Sequence, residues 1–571
     1  MYTIKKGCVG CHFCELECPT EAIRVKDGRY QIDQMRCIQC GKCVSLCHLN
    51  LIYDDSEANV PPKHPVETYN CDILVIGAGG VGTAAAARAA YLGYHVILLE
   101  AAKHFGGGTY LAHGAFFPGS DVVYPRLGMP DTLENTVAEW AERQTGSKTP
   151  IEKLRRNVKA QGQFIDWFDS LDPTYTKPFV YRGEQANVTF DMEHRYINKK
   201  STDDSIGPGW LGSWITEKLF EAGQRLGVQY FNETAAKHFI LDEAGKVSGV
   251  LSEDPGGLRI FKAKAFVLGT GGYIMNDARM KAIDPNLIRG DASYLRLNVP
   301  TNIGDGHDMV SEIGGDVDYS RGGARGPTHH PYCFAVNKLI AAPEVLFVTD
   351  EGKREFEHSL FGMVRGTGPI SGSNCEPSEV ILRSKTGKCY ALMDDTLYRK
   401  LVQNLSRADD GTVVDYAGEI EREIALDDWP AKRADTIEGL AVKLHMEPEV
   451  LKATVERFNQ LCASGKDTDF GKNAAYLSPI QNGPFYAFLG QNFDNGASRG
   501  GISIDGEFHV KKKNGDIFSE IYCAGDAATY SWHEDIGPVG LCGGLGGSWA
   551  SGFQIINYIT EEHIDILKSR S

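Results

Sequence analysis

The cysteines of this chain are unevenly distributed, since eight of the fifteen lie within the first 47 residues. They form two runs with the same C-x2-C-x2-C-x3-C spacing, at Cys8, Cys11, Cys14 and Cys18 and again at Cys37, Cys40, Cys43 and Cys47. Because fifteen is an odd number, the cysteines cannot all be joined in internal disulfides. Structural zinc sites use C-x2-C pairs rather than a doubled four-cysteine run. The spacing therefore favours ligands of metal clusters over a disulfide knot or a zinc knuckle.

Residues 1–57 resemble a bacterial ferredoxin with two [4Fe–4S] clusters, in which this run is found. In such proteins the fourth Cys of each run completes the cluster held by the other run. The resemblance implies two ligand sets, namely Cys8, Cys11, Cys14 and Cys47, and Cys37, Cys40, Cys43 and Cys18. The turn at Asp27-Gly28 between the runs predicts a short hairpin. Such clusters carry single electrons and are damaged by oxygen, so a reducing compartment is expected.

The next segment predicts a linker followed by a dinucleotide site. Residues 58–70 contain three prolines without periodicity, which indicates an extended spacer. A predicted strand at 71–76 then enters a G-x-G-x-x-G motif, a helix of small residues and a second strand. The motif comprises Gly77, Gly79, Gly80 and Gly82, and the second strand ends at Glu100. This order predicts that a pyrophosphate approaches the glycines while Glu100 binds the adenosine ribose.

Two later strands favour FAD over NAD as the dinucleotide. Residues 265–268 precede Thr270, Gly271 and Gly272, and residues 521–523 precede Gly525 and Asp526. Both segments resemble FAD-contacting strands of the large two-dinucleotide-fold flavoprotein superfamily. The resemblance implies that Asp526 binds the ribityl chain. A second strand–GxGxxG–helix unit does not occur in the sequence, so electrons are expected to travel through the clusters rather than from a separate NAD(P) site.

Motifs spread over most of the remaining chain resemble the fumarate reductase/succinate dehydrogenase flavoprotein family. They include a glycine-rich loop at 106–114, GDGxxM at 304–309, a helix pair at 436–459 and a GGI turn at 500–502. The branch most similar to this chain is that of the soluble fumarate reductases and 3-ketosteroid dehydrogenases. The resemblance places further residues at FAD: Gly107, Gly108, Thr109, His113, Gly114, Asp305, Leu541, Gly544 and Leu545. Because Gly108 occupies the position of the flavin-linked His of the membrane enzymes, non-covalent FAD is expected.

The implied fold class is α/β. A Rossmann-like FAD-binding domain is expected at 71–327 and 496–571, with an inserted α+β capping domain at 328–495. A small ferredoxin-like α+β domain with two clusters precedes it.

The chain departs from the family's fumarate chemistry. Fumarate reducers clamp a dicarboxylate with His and Arg and use Arg as the proton donor, because planar bidentate cations suit a dianion. Here 495–499 lack the expected His, and Gly543-Gly544 replace an expected Asn-Arg. The donor Arg aligns near Cys375. These departures argue against fumarate or succinate as the substrate.

Several polar residues remain as candidates for substrate binding and proton donation. They are His329, His330, Arg365, Arg499, Tyr530, His533 and Glu534. A Tyr or His backed by a carboxylate is suited to protonating a carbanion. Structural roles for the His329-His330 pair and Arg365, and a solvated loop pair at His533-Glu534, remain as alternatives.

Composition limits the partners. With 59 Lys and Arg against 75 Asp and Glu, the net charge is −16, which disfavours nucleic acid. We find neither an apolar run of spanning length nor a signal region, so no membrane span and a cytoplasmic location are expected. A small-molecule substrate and an external low-potential carrier or partner redox protein are the expected partners, and a homo-oligomer is compatible with the sequence.

The expected activity is reduction of an activated C=C bond, in an enoate or enone other than fumarate, with electrons passing through the clusters to FAD. One alternative is a ketosteroid-type dehydrogenase that works in the oxidative direction. Another is an electron-transfer flavoprotein subunit of a larger complex.

Overall fold

The structure is a computed structural model, and it describes residues 2–4, 8, 13–16, 18–26, 29–47, 51–54, 67–111, 115–129, 133–143, 151–181, 187–190, 211–283, 285, 295–296, 298–319, 325–329, 336, 339–340, 342–357, 380–381, 384–405, 416–425, 431–494, 501–528 and 545–562. The chain divides into two compact units. The first comprises Met1–Asn276, Asn298–Arg321 and Gly496–Ser571, and the second Asp277–Leu297 and Gly322–Asn495. The expected capping segment 328–495 lies inside the second unit, and the exact domain bounds stay a prediction.

The strands, numbered in chain order, are β1 Tyr2–Ile4, β2 Ile23–Lys26, β3 Arg29–Ile32, β4 Ile52–Asp54, β5 Glu67–Asn70, β6 Ile73–Ile76, β7 Val96–Leu99, β8 Ala115–Phe116, β9 Phe179–Tyr181, β10 Asn187–Phe190, β11 Gln229–Phe231, β12 Ala235–Leu241, β13 Val247–Asp254, β14 Gly257–Lys262, β15 Ala265–Leu268, β16 Leu295–Arg296, β17 Val317–Asp318, β18 Arg325–His329, β19 Leu346–Thr349, β20 Cys389–Asp394, β21 Ala431–Ala434, β22 Phe485–Asp494, β23 Gly501–Ile502, β24 His509–Lys511 and β25 Ile517–Cys523.

The α-helices are α1 Phe13–Leu16, α2 Lys42–Leu46, α3 Gly80–Tyr91, α4 Val123–Arg126, α5 Leu133–Arg143, α6 Ile151–Leu171, α7 Leu211–Arg225, α8 Asp277–Ile283, α9 Asp305–Glu312, α10 Asp395–Leu405, α11 Tyr416–Ile424, α12 Ile437–Lys443, α13 Pro448–Ser464 and α14 Leu545–Glu562. Short 3-10 turns occur at Gly107–Leu111, Ala474–Tyr476 and Gly525–Ala527. Among the helices described, none combines the length and the hydropathy that crossing a bilayer requires.

The main sheet of the first unit has the strand order β11-β7-β6-β15-β25-β24. Its first five strands are parallel, and β24 runs antiparallel to β25. Every residue of β6, β7 and β15 is buried, as expected when a parallel sheet is covered on both faces. Helices α3 and α14 pack closely, because a Cβ on Gly552 would lie 2.1 Å from the carbonyl oxygen of Val81. This doubly covered parallel sheet is the expected Rossmann-like arrangement.

A second sheet of the first unit has the order β12-β13-β14-β5. Its strand β5, Glu67–Asn70, is formed by the last residues of the stretch that the sequence predicted as a linker. The strand forms because it pairs in parallel with β14 and because Tyr69 stacks on Phe261 with ring centroids 5.1 Å apart. The prolines of that stretch all precede the strand.

The cysteine-rich segment contains two antiparallel strand pairs, β1-β4 and β2-β3, and the short helices α1 and α2. The pair β2-β3 is the predicted hairpin. Leu51, only 1% exposed, is buried in an apolar cluster on the second sheet with Ile240, Leu251, Leu258 and Ile260. Cys47 packs against the same cluster. The segment therefore contacts the flavoprotein through the residues at the end of its second cysteine run.

The second unit is built on a mixed sheet of order β16-β22-β20-β19, and β18 and β21 also pair with β22. One apolar cluster of this unit includes α10 and α11, and another includes α12 and α13. The Thr436 side chain caps α12 by accepting a hydrogen bond from the Gly439 amide.

Candidate functional site

A cleft opens at the carboxyl ends of β6, β7, β15 and β25, and the space within it and at its open mouth is about 890 Å³. Ligands of doubly wound sheets bind at this edge. Twelve of the predicted cofactor residues line it: Gly77, Gly79, Gly80, Glu100, Gly107, Gly108, Thr109, Thr270, Gly271, Asp305, Gly525 and Asp526. Residues from four separate parts of the sequence therefore meet around one space.

Two of the glycines at the start of α3, Gly77 and Gly82, are required by close backbone approaches. Gly77 has φ +94°, and a Cβ there would lie 2.5 Å from the carbonyl oxygen of Gly269. A Cβ on Gly82 would lie 1.8 Å from the carbonyl oxygen of Gly77, so Gly82 serves strand–helix packing and does not line the cavity. At Gly79, by contrast, the nearest atoms to an added Cβ are 3.8 Å away. The bare backbone at Gly79 thus leaves room for a ligand rather than for a neighbouring protein group.

Glu100 is held by backbone amides on both carboxylate oxygens. Its oxygens accept hydrogen bonds from the amides of Ala78 and Ala102, each at 2.8 Å. Burial raises the pKa of the Glu100 carboxyl, and these amide donors oppose that rise. Each carboxylate oxygen can accept a further hydrogen bond. The fixed orientation suits Glu100 to receive the hydroxyl groups of a ribose.

Two buried polar atoms at the cavity have no hydrogen-bond partner within the described chain. They are Oγ1 of Thr270 and Oδ1 of Asn302. Buried polar atoms normally find a partner, so these two indicate a polar ligand in the cavity. Together with the ribose-binding geometry of Glu100, they fit an adenine dinucleotide cofactor such as FAD.

Sequence reasoning missed Asn302, Thr234 and Ser548, which also line the cavity. Asn302 lies two residues before the GDGxxM motif, and Ser548 follows the Leu545-Gly546-Gly547 segment. Both residues adjoin segments that the sequence predicts to contact the cofactor. Their nearness to those segments could have indicated that they also line the cavity. Thr234, just ahead of β12, carries no motif.

The position of Gly108 is relevant to flavin attachment. A Cβ there would lie 2.7 Å from Oδ1 of Asn298, an oxygen that also accepts a hydrogen bond from the Val299 amide. Any side chain at this position would displace Asn298. The site is therefore shaped around a glycine.

Four cysteines from both runs line a second, smaller cavity: Cys18, Cys37, Cys40 and Cys43. Burial raises the pKa of the Cys43 thiol to about 11, and charge on the other three sulfurs adds to the rise. The fourth cysteine of the first run thus lies with the first three of the second run.

The fourth cysteines of the two runs have matching surroundings. Sγ of Cys18 accepts a hydrogen bond from the Ala22 amide at 3.2 Å, and Sγ of Cys47 accepts one from the Leu51 amide at 3.3 Å. Burial acts to raise the pKa of the Cys18 thiol, but hydrogen bonds from nearby backbone amides lower that pKa. Hydrogen bonds to sulfur are one way in which proteins tune a cluster's potential. Both positions are thus suited to a thiolate.

Tyr30 marks the neighbourhood of the first run. Its hydroxyl donates to Glu15 at 3.1 Å. Its pKa is raised by burial and by the charges of Glu15, Cys8 and Cys14. Cys11 lies outside the described residues.

The predicted catalytic residues fall largely outside the described part of the chain. These are His330, Arg365, Arg499, Tyr530, His533 and Glu534, together with the predicted cofactor residues His113, Gly114, Leu541 and Gly544. His329 ends β18 and Leu545 begins α14, and both are described in their backbone only. Gly272 is described and does not line the cavity. All of these assignments stay predictions.

Comparison with known proteins supports FAD as the ligand of the large cavity and iron–sulfur clusters as the ligands of the cysteine runs. Residues 72–537 match a family model described as an FAD binding domain, and residues 7–50 match one described as a 4Fe-4S dicluster domain. Vinyl phenol reductase from Lactiplantibacillus plantarum is 24% identical over 482 residues, which are 82% of this chain and 92% of that protein. Urocanate reductase from Eggerthella lenta is 26% identical over 482 residues, which are 83% and 72% of the two chains.

The fold is shared with 3-ketosteroid delta1-dehydrogenase from Sterolibacterium denitrificans, whose crystal structure gives a TM-score of 0.65 at 18% identity and covers 86% of this chain and 99% of that one. The predicted fold class, FAD and iron–sulfur clusters are confirmed by these matches. The chain belongs to the FAD-binding flavoprotein family of the fumarate reductases and 3-ketosteroid dehydrogenases, and it is a flavin-dependent oxidoreductase with a 4Fe-4S dicluster domain ahead of the flavin domain.

Proposed function

We propose that this protein takes single electrons through two [4Fe–4S] clusters to FAD and reduces an activated C=C bond in an enoate, an enone or an aryl-conjugated alkene other than fumarate. The observation that carries the proposal is the joining of a dicluster domain and an FAD domain of this family in one chain. The sequence contains a single strand–GxGxxG–helix unit, which favours the clusters as the electron route.

The residues that line the large cavity would hold FAD. Glu100 would bind the adenosine ribose, Gly79 would admit the pyrophosphate, and Asp526 would bind the ribityl chain. Thr270 and Asn302 would give their unpartnered polar atoms to the same cofactor. When bound, FAD would supply the redox chemistry, since a flavin that has gained two single electrons and a proton from solvent can transfer them together to carbon as a hydride.

The two cysteine runs would hold the clusters in a crossed manner. Cys18 would join Cys37, Cys40 and Cys43, in keeping with the cavity that these four line. Cys8, Cys11, Cys14 and Cys47 would form the other set.

The protonating group would come from the predicted catalytic residues, with Tyr530, His533 and Glu534 as the first candidates. Reduction of an alkene needs a proton on the carbon next to the one that receives hydride. His329, His330, Arg365 and Arg499 are the candidates for binding the substrate's carbonyl or carboxylate.

The names of two relatives support this substrate class. Vinyl phenol and urocanate each contain a C=C bond conjugated with an aromatic ring. The chain also lacks cations that the resemblance leads one to expect in a fumarate reducer, which favours an acceptor with fewer carboxylates.

Anaerobic reoxidation tests the proposal. Dithionite-reduced holoenzyme would be freed of dithionite and mixed with 4-vinylphenol, cinnamate, urocanate, an enone or fumarate while the absorbance of oxidised flavin is followed. We expect reoxidation by at least one conjugated alkene and formation of its saturated product, with no reaction of the saturated compound itself. Reoxidation by fumarate alone, or by no compound, would contradict the proposal.

The dehydrogenase alternative is favoured by the 3-oxosteroid 1-dehydrogenase of Mycolicibacterium smegmatis, which is 22% identical over 566 residues. Mixing the oxidised enzyme with a saturated 3-ketosteroid distinguishes the two directions. Bleaching of the flavin by the steroid, without reoxidation by any alkene, would support the alternative.

A further inference from the structure

Two apolar side chains on either side of Cys37 are turned to solvent. Met35 is 95% exposed and Ile38 is 64% exposed. They belong to the segment 33–40, which we call the outer loop. Single exposed apolar residues are common, but this pair flanks a predicted cluster ligand. The pair is therefore placed where an electron could enter or leave.

The outer loop is fixed by hydrogen bonds. The Asp33 carboxylate accepts from the Met35 amide at 2.9 Å, and the Asp33 carbonyl accepts from the amides of Arg36 and Cys37. The Gln34 side chain donates to the carbonyl of Tyr2 at 2.8 Å. Since the backbone is held on both sides of Met35, its exposure follows from a defined turn.

The outer loop covers the cavity that four cysteines share. Ile38 lines that cavity together with Cys37 and Cys40, and Cys40 is itself exposed. The cluster site made by Cys18, Cys37, Cys40 and Cys43 thus lies directly beneath Ile38, and Met35 belongs to the same loop two residues before Cys37.

The opposite cluster site lies toward the flavoprotein. Cys47 packs against the apolar cluster in which Leu51 is buried on the second sheet of the first unit. The two cluster sites therefore differ in surroundings: one is covered by a solvent-facing loop, and the ligand Cys47 of the other contacts the flavoprotein. An electron route through this segment would therefore have its outer end at the cluster site beneath the outer loop and its inner end at the site that contains Cys47.

The charge of the outer loop favours apolar contact. Asp33 and Arg36 form an ion pair at 3.7 Å with both side chains about half exposed, so their charges cancel, and the predicted cluster with its thiolates supplies the remaining charge of residues 33–40. The whole chain carries −16. The outer loop thus offers no positive charge that would attract an acidic carrier from a distance. The fit between the loop and a carrier protein must therefore come from the apolar side chains.

We propose that the outer loop is the docking surface for a small one-electron carrier protein with an apolar rim around its own redox centre, and that the cluster held by Cys18, Cys37, Cys40 and Cys43 receives its electron first. The inference rests on the proposed electron route. Each encounter oxidises the carrier by one electron and reduces the outer cluster by one, with no bond made or broken. Two encounters supply the electron pair needed for one C=C bond.

The test uses the double variant Met35→Glu/Ile38→Glu in the full-length holoenzyme, with a reduced bacterial ferredoxin as the probe. Binding of the oxidised probe is measured by calorimetry, and flavin reduction is followed by stopped flow. We expect the variant to bind the probe at least about tenfold more weakly and to be reduced correspondingly more slowly, as for the loss of central apolar contacts. Reduction by methyl viologen radical, which needs no protein docking, should remain unchanged.

Val442, 63% exposed in the second unit, gives the matched control Val442→Glu. That variant should bind the probe like the wild type. Iron content and cluster EPR spectra verify that the double variant is loaded, and Met35→Gln/Ile38→Gln replaces it if loading is lost. Unchanged probe binding in a loaded variant, or a wild type that does not bind the probe, would overturn the docking proposal. Alkene reoxidation after dithionite reduction tests the proposed function separately.

Discussion

Cys18 and Cys43 belong to different cysteine runs, yet both line the same cavity, and charge on Cys18 contributes to the raised pKa of Cys43. The last cysteine of the first run therefore lies beside the first three cysteines of the second run. A consequence is that damage to one run should affect the cluster centred on the other run.

Replacing Cys18 tests this crossing. In Cys18→Ser we expect loss of the cluster centred on Cys37, Cys40 and Cys43, while the cluster centred on the first run is retained. Anaerobic iron analysis and EPR should show about four of about eight irons lost, since each cluster contains four.

Cys71→Ser is the matched control, because Cys71 is buried and its thiol donates to the carbonyl of Lys262 rather than facing either run. It should keep the full iron content. Loss of the first run's cluster in Cys18→Ser, with the second run's cluster intact, would contradict the crossed arrangement.

Glu100→Gln should weaken FAD binding by about tenfold or more. The amide keeps one acceptor but turns an NH2 donor toward a backbone amide that also donates, and it removes the charge that receives the ribose. Flavin fluorescence titration of the apoprotein measures the effect. Glu243→Gln, on an exposed turn, should bind FAD like the wild type. Equal affinities for the two variants would exclude Glu100 from the site.

Gly79→Ala and Gly82→Ala should separate ligand binding from folding. An added methyl on Gly82 meets the Gly77 carbonyl oxygen at 1.8 Å, whereas one on Gly79 lies 3.8 Å from its nearest atoms. We expect Gly82→Ala to lower the unfolding free energy of the apoprotein by about 1–3 kcal/mol. Gly79→Ala should leave that value nearly unchanged while weakening FAD binding. Denaturant unfolding of both apoproteins, followed by FAD titration, checks the pair, and the reverse pattern would refute it.

The parts of the molecule that could be predicted from sequence depend on short-range spacing. The cysteine runs and the Gly77 to Gly82 motif set local loop geometry, so their chemistry is visible within a few residues. Asn302 reaches the same cavity as Glu100 only through the strand order of the folded chain. Such contacts leave no local pattern.

Packing between distant segments could not be predicted from the sequence either. Leu51 is one apolar residue among many in the sequence, and its burial on β13 and β14 depends on how the cysteine-rich segment docks. The ion pair of Arg354 with Asp467 in the second unit joins positions 113 residues apart. No periodicity predicts either contact.

Arg354 and Asp467 belong to a buried ion network of the second unit that also contains Glu357 and Lys472. Arg354 donates to Glu357 at 2.7 Å and to Asp467 at 2.6 Å, and Lys472 donates to Glu357 at 2.9 Å. In Glu357→Gln, two buried cations lose a shared counter-charge. We expect the unfolding free energy to fall by about 3–5 kcal/mol. Glu351→Gln, which removes an exposed partner of Lys353, should change it by less than about 1 kcal/mol.

The same network predicts a pH dependence. Burial of the Asp467 carboxyl acts to raise its pKa, but hydrogen bonds from Arg354 and from backbone amides hold that pKa below its usual range. Because the folded pKa is depressed, Asp467 stabilises the fold above the unfolded pKa of about 4, and this contribution is lost as the pH falls through the folded value. The difference in unfolding free energy between wild type and Asp467→Asn should therefore be constant near neutral pH and shrink below about pH 4. Urea titrations at a series of pH values measure it, and a difference that grows on acidification would contradict the assigned ionisation.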